Sequence, residues 1–437
     1  MSSVKLTKNN KFTMKKNIFL LTAICATLSL SAQNNIQWRG GDRTGIYNET
    51  GLLKQWPAGG PQLLWHFDGL GEGHSSIAID GGKIYATGMT DDEGFLYVFD
   101  LNGKLLNKVG YGKEWAENYN GPRGTVTVNE GKLYIITGTG FLICKDQNTL
   151  KELWRKDAVK DFDAKNITWG ITESPLVVDN KVIFTPGGEK HNVVALNKNT
   201  GALIWSSAGK GELSAYHSPL YIANQQVPQT MVMTTNHIPL LLPAVPDVVP
   251  QIVVMTTNHI MGIDVANGNV LWSHEQRNQW SVHANTAVYD GKDMLLLTSG
   301  YGQGSVMLRL TNGGRAVESV WSSKDIDGRM GGMVKVGDYV YGSGDNNNYW
   351  FAVNWNTGET MYKASDIAPC NVVYADGMLY CYSDRGTMNL VKPNPGEFEL
   401  ISSFNVTLGT GTHWAHPVIH QGVMYIRHGG ALMAYKV

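Results

Sequence analysis

Asn197–Trp205 reads NKNTGALIW and Asp264–Trp272 reads DVANGNVLW. In both stretches a Thr-Gly or Asn-Gly turn is followed by a strand that ends in Trp. Because glycine tolerates positive φ, such dipeptides typically join the two strands of a hairpin. Similar units end at Trp154, Trp321 and Tyr362. Their recurrence predicts antiparallel hairpins repeated along the chain.

A second series of turns alternates with these units. Each turn places Gly or Asn between two short apolar runs, and the series comprises Gly82, Gly131, Asn180, Gly291, Gly337, Gly377 and Gly422. The usual spacing is about 45 residues, a period typical of β-propellers, in which each repeat forms one four-stranded antiparallel blade. The longer interval between Asn180 and Gly291 has room for two repeats. We therefore predict an all-β, eight-bladed propeller, with a seven-bladed ring containing one irregular unit as the alternative.

The two ends of the chain are predicted to share one blade. The last repeat reaches Val437 after only three strands, whereas Gln62–Phe67 reads QLLWHF and has no repeat of its own. Pairing this N-terminal strand with the last repeat would remove free sheet edges, which otherwise favour aggregation. This interpretation assigns residues 62–437 to the propeller and residues 33–61 to an N-terminal extension.

One repeat contains a tandem duplication. Val227–Ile238 reads VPQTMVMTTNHI and Val249–Ile260 reads VPQIVVMTTNHI, with ten of twelve positions identical at an offset of 22 residues. Residues 239–250 contain four prolines, which is incompatible with a central strand. We expect the second copy to pair within blade four, because it continues directly into the next turn. Residues 227–260 are therefore expected to include an inserted loop.

The composition suits a large β-sheet protein and argues against a nucleic-acid partner. The chain has 437 residues, of which 43% are hydrophobic and 17% are charged, with 50 Gly, 13 Trp and 19 Tyr. Abundant glycine and aromatic residues fit short strands joined by tight turns. Lys and Arg number 36 against 37 Asp and Glu, so the net charge is −1. Without a basic excess, we expect no nucleic-acid binding.

The N-terminus has the features of a secretory signal peptide. Lys15 and Lys16 precede the apolar run Ile18–Leu30, and small residues follow up to Ala32. The run is short for a membrane span, although a membrane anchor is the alternative. We predict a signal peptide at residues 1–32 and no transmembrane segment after its removal. The protein is then exported, either to the periplasm or outside the cell.

Three cysteines follow the predicted signal peptide, namely Cys144, Cys370 and Cys381. An odd number does not suit a disulfide framework, so we expect small apolar side chains in the core. A bridge between Cys370 and Cys381 across a hairpin is the alternative.

The repeats resemble the pyrroloquinoline-quinone-like (PQQ-like) β-propeller family, whose docking turn reads Asp/Asn-x-x-Thr-Gly-x-x-x-Trp. Asn197–Trp205 and Asp264–Trp272 are close matches, and the resemblance implies that their Trp side chains pack between adjacent blades. It covers residues 62–437, apart from the duplicated stretch. Trp38–Gly45, which reads WRGGDRTG, is similar to the start of secreted bacterial members often named polyvinyl-alcohol-dehydrogenase-like. The family includes quinoprotein alcohol dehydrogenases and non-catalytic relatives, such as the propeller lipoprotein of outer-membrane barrel assembly, so the resemblance implies the fold rather than one activity.

Residues that open the innermost strands of a propeller converge on one end of its central channel. Here these positions are polar or aromatic, and they include His74, Arg123, Trp169, Glu173, His217, His283, Asn285, Arg329 and His416. Their convergence predicts a site for a small-molecule ligand or a cell-envelope protein. Structural interpretations remain open. The histidines could cap strand ends, Glu173 could pair with Arg123 or Arg329, and the Trp could serve only packing.

The resemblance also implies an alternative function, a PQQ- and Ca²⁺-dependent dehydrogenase of alcohols or polyols. Glu173 and Asn285 would be its Ca²⁺ ligands. Arg123 or Arg329 would bind the carboxylates of the quinone, and Trp169 would stack beneath its ring. The reaction also needs an Asp base, and the strand-opening segments contain none. The sequence therefore favours binding without established catalysis, with a metal-dependent activity of the histidines as a third option.

Overall fold

The computed structural model describes residues 36–223, 231–233, 239–241, 248–330 and 332–437. It is an all-β, eight-bladed propeller whose blades are four-stranded antiparallel sheets. The prediction of eight blades is confirmed, and the seven-bladed alternative is wrong. The described residues include one α-helix, Ala158–Phe162, and one 3-10 helix, Asn312–Gly314. In this part of the chain no helix is long and apolar enough to cross a membrane. The predicted signal peptide lies outside it.

The blades are numbered in chain order, and their strands are given from the central channel outward. Blade one comprises Ala78–Asp80, Lys83–Thr90, Glu93–Asp100 and Leu105–Lys113. Blade two comprises Thr127–Asn129, Lys132–Ile136, Phe141–Asp146 and Glu152–Asp157. Blade three comprises Leu176–Val178, Lys181–Phe184, Val193–Asn197 and Leu203–Ser207. Blade four comprises Leu220–Ile222, Gln251–Met255, His259–Asp264 and Val270–Glu275.

The second half of the ring repeats this order. Blade five comprises Val288–Tyr289, Met294–Ser299, Gly304–Thr311 and Ala316–Ser323. Blade six comprises Met333–Val336, Tyr339–Ser343, Trp350–Asn354 and Thr360–Ala364. Blade seven comprises Cys370–Ala375, Met378–Ser383, Thr387–Lys392 and Glu399–Asn405. Blade eight comprises Val418–His420, Val423–His428, Ala431–Lys436 and Leu63–Phe67.

The first strand of each repeat faces the central channel. Inner strands of consecutive blades contact one another from blade one to blade four and from blade five to blade seven. Hydrogen bonds also connect the residues that precede these inner strands. The Thr125 amide donates to the Ser174 hydroxyl, and the Ser174 amide donates to the Ser218 hydroxyl, each at 2.9 Å. Outer strands are more exposed, as in Leu105–Lys113. The blades thus radiate from a channel surrounded by their first strands.

Tryptophans of the outer strands join neighbouring blades. Trp205 of blade three donates its indole N–H to Val265 O in a turn of blade four, at 3.0 Å. That turn requires Gly268, because its φ is +79° and a Cβ there would lie 2.6 Å from the Trp205 ring. Trp272 packs in the apolar cluster between blades four and five and donates to Gln251 of its own blade. Indole donation to the next blade recurs at Trp65, Trp154 and Trp321.

The ring closes between blade eight and blade one. Leu63–Phe67 pairs antiparallel with Ala431–Lys436, as the sequence predicts. Arg427 of blade eight is buried and donates to Ser75 Oγ and Thr87 O of blade one, both at 2.6 Å. Hydrogen bonds from a charged donor are stronger than neutral ones, so this guanidinium reinforces the closing contact.

Blade four takes its second strand from the second copy of the duplication. Gln251–Met255 pairs with the inner strand Leu220–Ile222. It places Ile252 and Val253 in the core with no exposed surface, at positions where the first copy has Thr and Met. Residues 231–233 and 239–241 form a separate two-stranded sheet. The rest of the first copy lies outside the described residues.

The three cysteines of the propeller are buried free thiols. Cys370 lies opposite Ser383 and Cys381 lies opposite Val372 in their hairpin. The alternative of a bridge between Cys370 and Cys381 is therefore wrong.

Ile36–Tyr47, here called the channel segment, crosses the interior of the ring. Its first residue accepts a hydrogen bond from the Val128 amide of blade two at 2.8 Å. Its last two residues pair in parallel with the inner strand of blade seven. Between these anchors lie Arg39 and Arg43, whose exposed fractions are only 3% and 2%. The sequence analysis gave this segment no structural role.

Arg39 binds three successive blades. Its guanidinium donates to Met333 O at 2.7 Å, to Val372 O at 3.1 Å and to His416 Nδ1 at 3.1 Å. These acceptors belong to blades six, seven and eight. Burial lowers the pKa of Arg39 to about 10, so the side chain remains a cation at neutral pH.

Arg43 binds the opposite side of the channel. It donates to Ser174 O at 3.0 Å, Pro175 O at 2.6 Å and Pro219 O at 2.9 Å, in blades three and four. Burial lowers its pKa to about 9, against the influence of the Glu173 carboxylate. Burial likewise raises the pKa of Glu173 to about 8, and Arg43 opposes that shift. The cation that acts on Glu173 is therefore Arg43, rather than Arg123 or Arg329, and the carboxyl is mostly protonated at neutral pH.

Candidate functional site

A cavity of about 190 Å³, here called the channel-mouth cavity, lies where the strand-opening residues meet. Its walls come from seven of the eight blades and from the channel segment. The lining residues are Trp38, His74, Ser76, Tyr119, Arg123, Trp169, Thr172, Ser174, Tyr216, Ser218, Val282, Ala284, Tyr301, Arg329, Met330, Trp414 and His416. Residues distant in sequence are thus gathered by the repeat architecture, as the sequence predicts for a propeller.

Nine residues were predicted for this site, and five of them line the cavity. These five are His74, Arg123, Trp169, Arg329 and His416. They enter from blades one, two, three, six and eight. These five residues therefore lie together at one end of the channel, and they include the two guanidinium groups of the cavity.

The other four predicted residues are buried beside the cavity and bind other parts of the protein. Glu173 Oε2 accepts from the Thr185 amide at 2.9 Å. His217 Nδ1 lies 2.8 Å from Asn285 O. Asn285 itself donates from Nδ2 to the carbonyl of Gly328. His283 contacts Ser299 Oγ and lies 3.1 Å from Thr257 O. These side chains connect strands and loops rather than face the cavity.

Strand alternation explains which residues reach the cavity. Thr172 and Ser174 line it, but Glu173 between them does not. Tyr216 and Ser218 line it on either side of His217. Because successive side chains of an extended chain point to opposite sides, only every second residue of an opening segment faces the channel. This period-two signal was available in the sequence and would have excluded Glu173 and His217.

Several aromatic residues of the cavity were not predicted. Tyr216 and Trp414 belong to opening segments, and their alternation with Ser218 and His416 is a usable signal. Tyr119 and Tyr301 come from loops between strands, and Trp38 comes from the channel segment. No local pattern brings these last residues to the site, because their positions depend on the closed ring.

Two groups of rings flank the cavity. The first aromatic cluster consists of His74, Tyr119 and Trp414. Ring centroids of Trp414 lie 5.1 Å from His74 and 4.8 Å from Tyr119. These residues belong to blades eight, one and two.

The second aromatic cluster comes from blades three to five and consists of Trp169, Tyr216, Trp280 and Tyr301. Trp169 lies 5.9 Å from Tyr216 and 6.4 Å from Trp280, and Trp280 lies 6.3 Å from Tyr301. The outermost rings are strongly exposed, at 55% for Trp280 and 50% for Tyr119. The first cluster comes from blades eight, one and two and the second from blades three to five, so the two clusters occupy adjacent arcs of the ring around the mouth.

The charged groups of the lining are guanidinium groups. Arg123 Nη2 donates to Asn118 O at 2.7 Å and Tyr119 O at 2.6 Å. Its Nη1 is buried and has no hydrogen-bond partner among the described residues. Burial lowers the pKa of Arg123 to about 10, with Glu114 opposing the shift, so the group is cationic at neutral pH. Arg329 is partly neutralised by Asp345, whose Oδ2 lies 2.9 Å from Arg329 Nε.

The two histidines of the lining are neutral at physiological pH. Burial, together with the nearby arginines, lowers the pKa of His74 and of His416 to about 3. His416 Nδ1 lies 3.1 Å from Arg39 Nη1, and its Nε2 lies 3.1 Å from Met330 O. The guanidinium donates to Nδ1, so the proton of the neutral ring resides on Nε2. These histidines supply hydrogen bonds and ring surface to the cavity, not charge.

The side chains of the cavity do not fit Ca²⁺ and PQQ in the way the resemblance implies. Among the described residues that line it, none is Asp or Glu, whereas Ca²⁺ requires several oxygen ligands, usually including carboxylates. Glu173 and Asn285, the ligands implied by the resemblance, bind protein groups outside the lining. Across the described part of the chain, no three His, Cys, Asp or Glu side chains are grouped as metal ligands would be.

The acidic residues near blade six do not supply the missing base. Asp327 is fully buried and accepts from the amides of Gly302 at 2.8 Å and Asn346 at 3.2 Å. Asp325 accepts a hydrogen bond from the hydroxyl of Thr360. Neither residue lines the cavity, because Asp327 connects loops of blades five and six and Asp325 binds the outer strand of blade six.

Sequence comparison relates this chain to two kinds of protein. A family model described as outer membrane protein assembly factor BamB matches residues 92–399. A lanthanide-dependent methanol dehydrogenase of Methylacidiphilum fumariolicum (strain SolV) is 29% identical over 241 residues, which are 48% of this chain and 38% of that protein. The match therefore spans well under half of the dehydrogenase.

Structural comparison gives the same two kinds of neighbour. BamB from Moraxella catarrhalis aligns with a TM-score of 0.60 and 15% identity, covering 86% of this chain and 100% of that chain. The quinohemoprotein alcohol dehydrogenase from Comamonas testosteroni aligns with a TM-score of 0.63 and 11% identity, covering 92% and 80%. At these identities the likeness concerns the fold.

Proposed function

This chain belongs to the PQQ-like propeller family matched by the BamB model, and we propose that it binds a small-molecule ligand in the channel-mouth cavity. The observation that carries the proposal is the cavity itself, whose lining combines large aromatic rings with two guanidinium groups and several hydroxyls. Concave sites of mixed apolar and polar character are typical of small-molecule binding. A flat protein interface would not need so many blades to converge on one pocket.

The channel segment supports this proposal because it contributes to the pocket. Trp38 lines the cavity, and its ring centroid lies 5.1 Å from that of His416 in an edge-on arrangement. Arg39 donates a hydrogen bond to Nδ1 of the same histidine. The segment therefore orders a wall of the cavity before any ligand arrives, which reduces the entropy lost on binding.

A quinone-dependent alcohol dehydrogenase is the second candidate, favoured by the relationship to the methanol dehydrogenase. The cavity does not offer the metal ligands that such an enzyme would need, because the implied ligands Glu173 and Asn285 bind other protein groups. We expect no dye-linked alcohol oxidation after addition of PQQ with Ca²⁺ or a lanthanide. Oxidation that is lost in Glu173→Gln would replace the binding proposal with this one.

Binding is tested by thermal unfolding against a library of small anions, saccharides and aromatic compounds. Ala284 lines the cavity, so Ala284→Trp should fill it. Ala266→Trp changes an exposed turn residue of blade four and serves as the matched control. We expect at least one compound to raise the unfolding temperature of the wild type and the control but not of Ala284→Trp. A library without such a compound would refute the proposal.

We also propose that residues 1–32 direct export and are removed. The basic residues, the short apolar run and the small residues near Ala32 support this proposal. Expression with these residues in a bacterial host, followed by mass spectrometry of the exported protein, should give a mature N-terminus near Gln33. Full-length protein retained in the cytoplasm would contradict it.

A further inference from the structure

We infer that the ligand is an acidic oligosaccharide that crosses the channel mouth between the two aromatic clusters. This inference rests on the proposed function and specifies its ligand. Three features of the described residues carry it: the charge of the lining, its mixture of rings and hydroxyls, and the placement of the exposed rings.

The charge of the lining selects an anion. Arg123 remains cationic, and its Nη1 has no hydrogen-bond partner among the described residues. The histidines of the lining are neutral, and none of the described lining residues is Asp or Glu, because the carboxylates near the two arginines, Asp345 and Glu114, lie outside the lining. Arginine presents paired donors that match the geometry of a carboxylate. A carboxylate-bearing ligand therefore suits this wall better than a neutral or cationic one.

The mixture of rings and hydroxyls selects a sugar. The lining hydroxyls of Ser76, Thr172, Ser174 and Ser218 each make a described bond to the backbone. Because a hydroxyl has one donor and two acceptor sites, each retains capacity for a ligand. The aromatic clusters add apolar surface with polar edges. A pyranose ring has an apolar C–H face and many hydroxyls, whereas a flat aromatic acid would leave the remaining donor and acceptor sites of these protein hydroxyls unused.

The placement of the exposed rings selects an oligomer. Tyr119 precedes blade two and Trp280 precedes blade five, three blades farther round the ring, and both rings are half exposed or more. Each is the outer member of a cluster that leads into the cavity. A single sugar could occupy the cavity of about 190 Å³, and we expect contact with both outer rings to require a longer chain. A chain of three or more residues could stack on both while its central carboxylate meets Arg123.

The test uses isothermal titration of the purified protein with defined probes. These are trimers of galacturonate, glucuronate and mannuronate, their methyl esters, the corresponding monomers, and naphthalene-2-carboxylate as an aromatic acid. We expect at least one uronate trimer to bind, and its methyl ester to bind at least about tenfold more weakly, because esterification removes a charge-assisted hydrogen bond. The trimer should also bind more tightly than its monomer.

Two variants separate the contributions of charge and rings. Arg123→Gln should weaken the acidic trimer about tenfold and remove its advantage over the ester. Trp280→Ala changes a ring that is 55% exposed, so folding should be preserved. It should weaken the trimer severalfold and leave the monomer unchanged. Leu203→Ala, which alters an exposed apolar residue of an outer strand, is the control and should bind as the wild type does.

The saccharide inference is overturned if no uronate trimer binds, if esters bind as well as acids, or if only the aromatic acid binds. It is also overturned if Trp280→Ala leaves trimer affinity unchanged. In these cases a library compound that still binds and is blocked by Ala284→Trp keeps the proposed function. Absence of any such compound rejects both proposals.

Discussion

Replacing Arg43 by Met should destabilise the propeller by about 3–5 kcal/mol. Arg43 donates to three buried carbonyls, at 2.6–3.0 Å. Leaving a buried acceptor unsatisfied costs roughly 1–3 kcal/mol, and methionine keeps most of the apolar stem while supplying no donor. Loss of the positive charge adds little to this cost, because Glu173, with its pKa raised to about 8, is already mostly protonated at neutral pH. Since folded domains are stable by only about 5–15 kcal/mol, the effect should be easy to measure.

The measurement is equilibrium unfolding in urea, followed by tryptophan fluorescence. Arg277→Met is the matched control, because Arg277 forms a solvent-exposed pair with Glu275 and exposed pairs contribute about 0–1 kcal/mol. Arg43→Lys should fall between the wild type and Arg43→Met, since one ammonium cannot reproduce the same set of donors. If Arg43→Met loses less than about 1 kcal/mol, the channel segment does not stabilise the ring in the way argued above.

Three further predictions concern acid stability, blade docking and the duplication. Below pH 6.5 the protein should lose stability progressively, because burial lowers the pKa of five histidines to about 3–4 and the unfolded chain then binds more protons. Urea midpoints measured from pH 7 to pH 4 should fall, and constant midpoints would contradict the lowered pKa values of His74, His217, His283, His413 and His416. Buried carboxyl groups act in the opposite direction, since the pKa of Glu173 is raised to about 8 and that of Asp345 to about 6, but these two large shifts are outnumbered by the five histidines. Gly268→Ala should destabilise the protein by more than about 1 kcal/mol, because the residue has a positive φ and a Cβ there would lie 2.6 Å from the Trp205 ring. The control Gly377→Ala should show only the cost of its positive φ, since a Cβ there would meet nothing within 4 Å. Equal losses of stability in the two variants would refute the contact with Trp205. Deleting residues 227–248 should preserve folding and give a more stable protein than deleting residues 232–253. Only the first deletion keeps the buried residues Ile252 and Val253. Equal thermal midpoints of the two deletion variants would contradict the assignment of the second copy to the core.

The ring was predictable because its signals are local. The glycine turns and the tryptophans of the docking motif lie within a few residues of each other, so blade number and the closing strand Leu63–Phe67 follow from the sequence. The end of the channel that carries the cavity was predictable for the same reason. The sequence prediction did not distinguish the strand-opening residues that face the cavity from those that point away. The alternation of side chains about Glu173 and His217 makes this distinction.

The remaining features depend on contacts that no local pattern encodes. Arg39 and Arg43 bind carbonyls that are more than a hundred residues away in sequence. Tyr119 and Tyr301 reach the cavity from loops whose paths are set by the closed ring. A backbone carbonyl is present at every residue, so the sequence cannot indicate which ones a buried guanidinium will bind.

The channel segment and the closing strand give the molecule an unusual order of assembly. Residues 36–47 and 63–67 emerge first during synthesis, yet their partners include His416 and the final strand of the chain. Contacts this distant in sequence make folding slow, and the early strands carry unpaired edges until the C-terminus arrives. If it is exported as proposed, the chain would therefore fold only after its last residues have been delivered, and a product truncated before blade eight would lack the partners of both N-terminal segments.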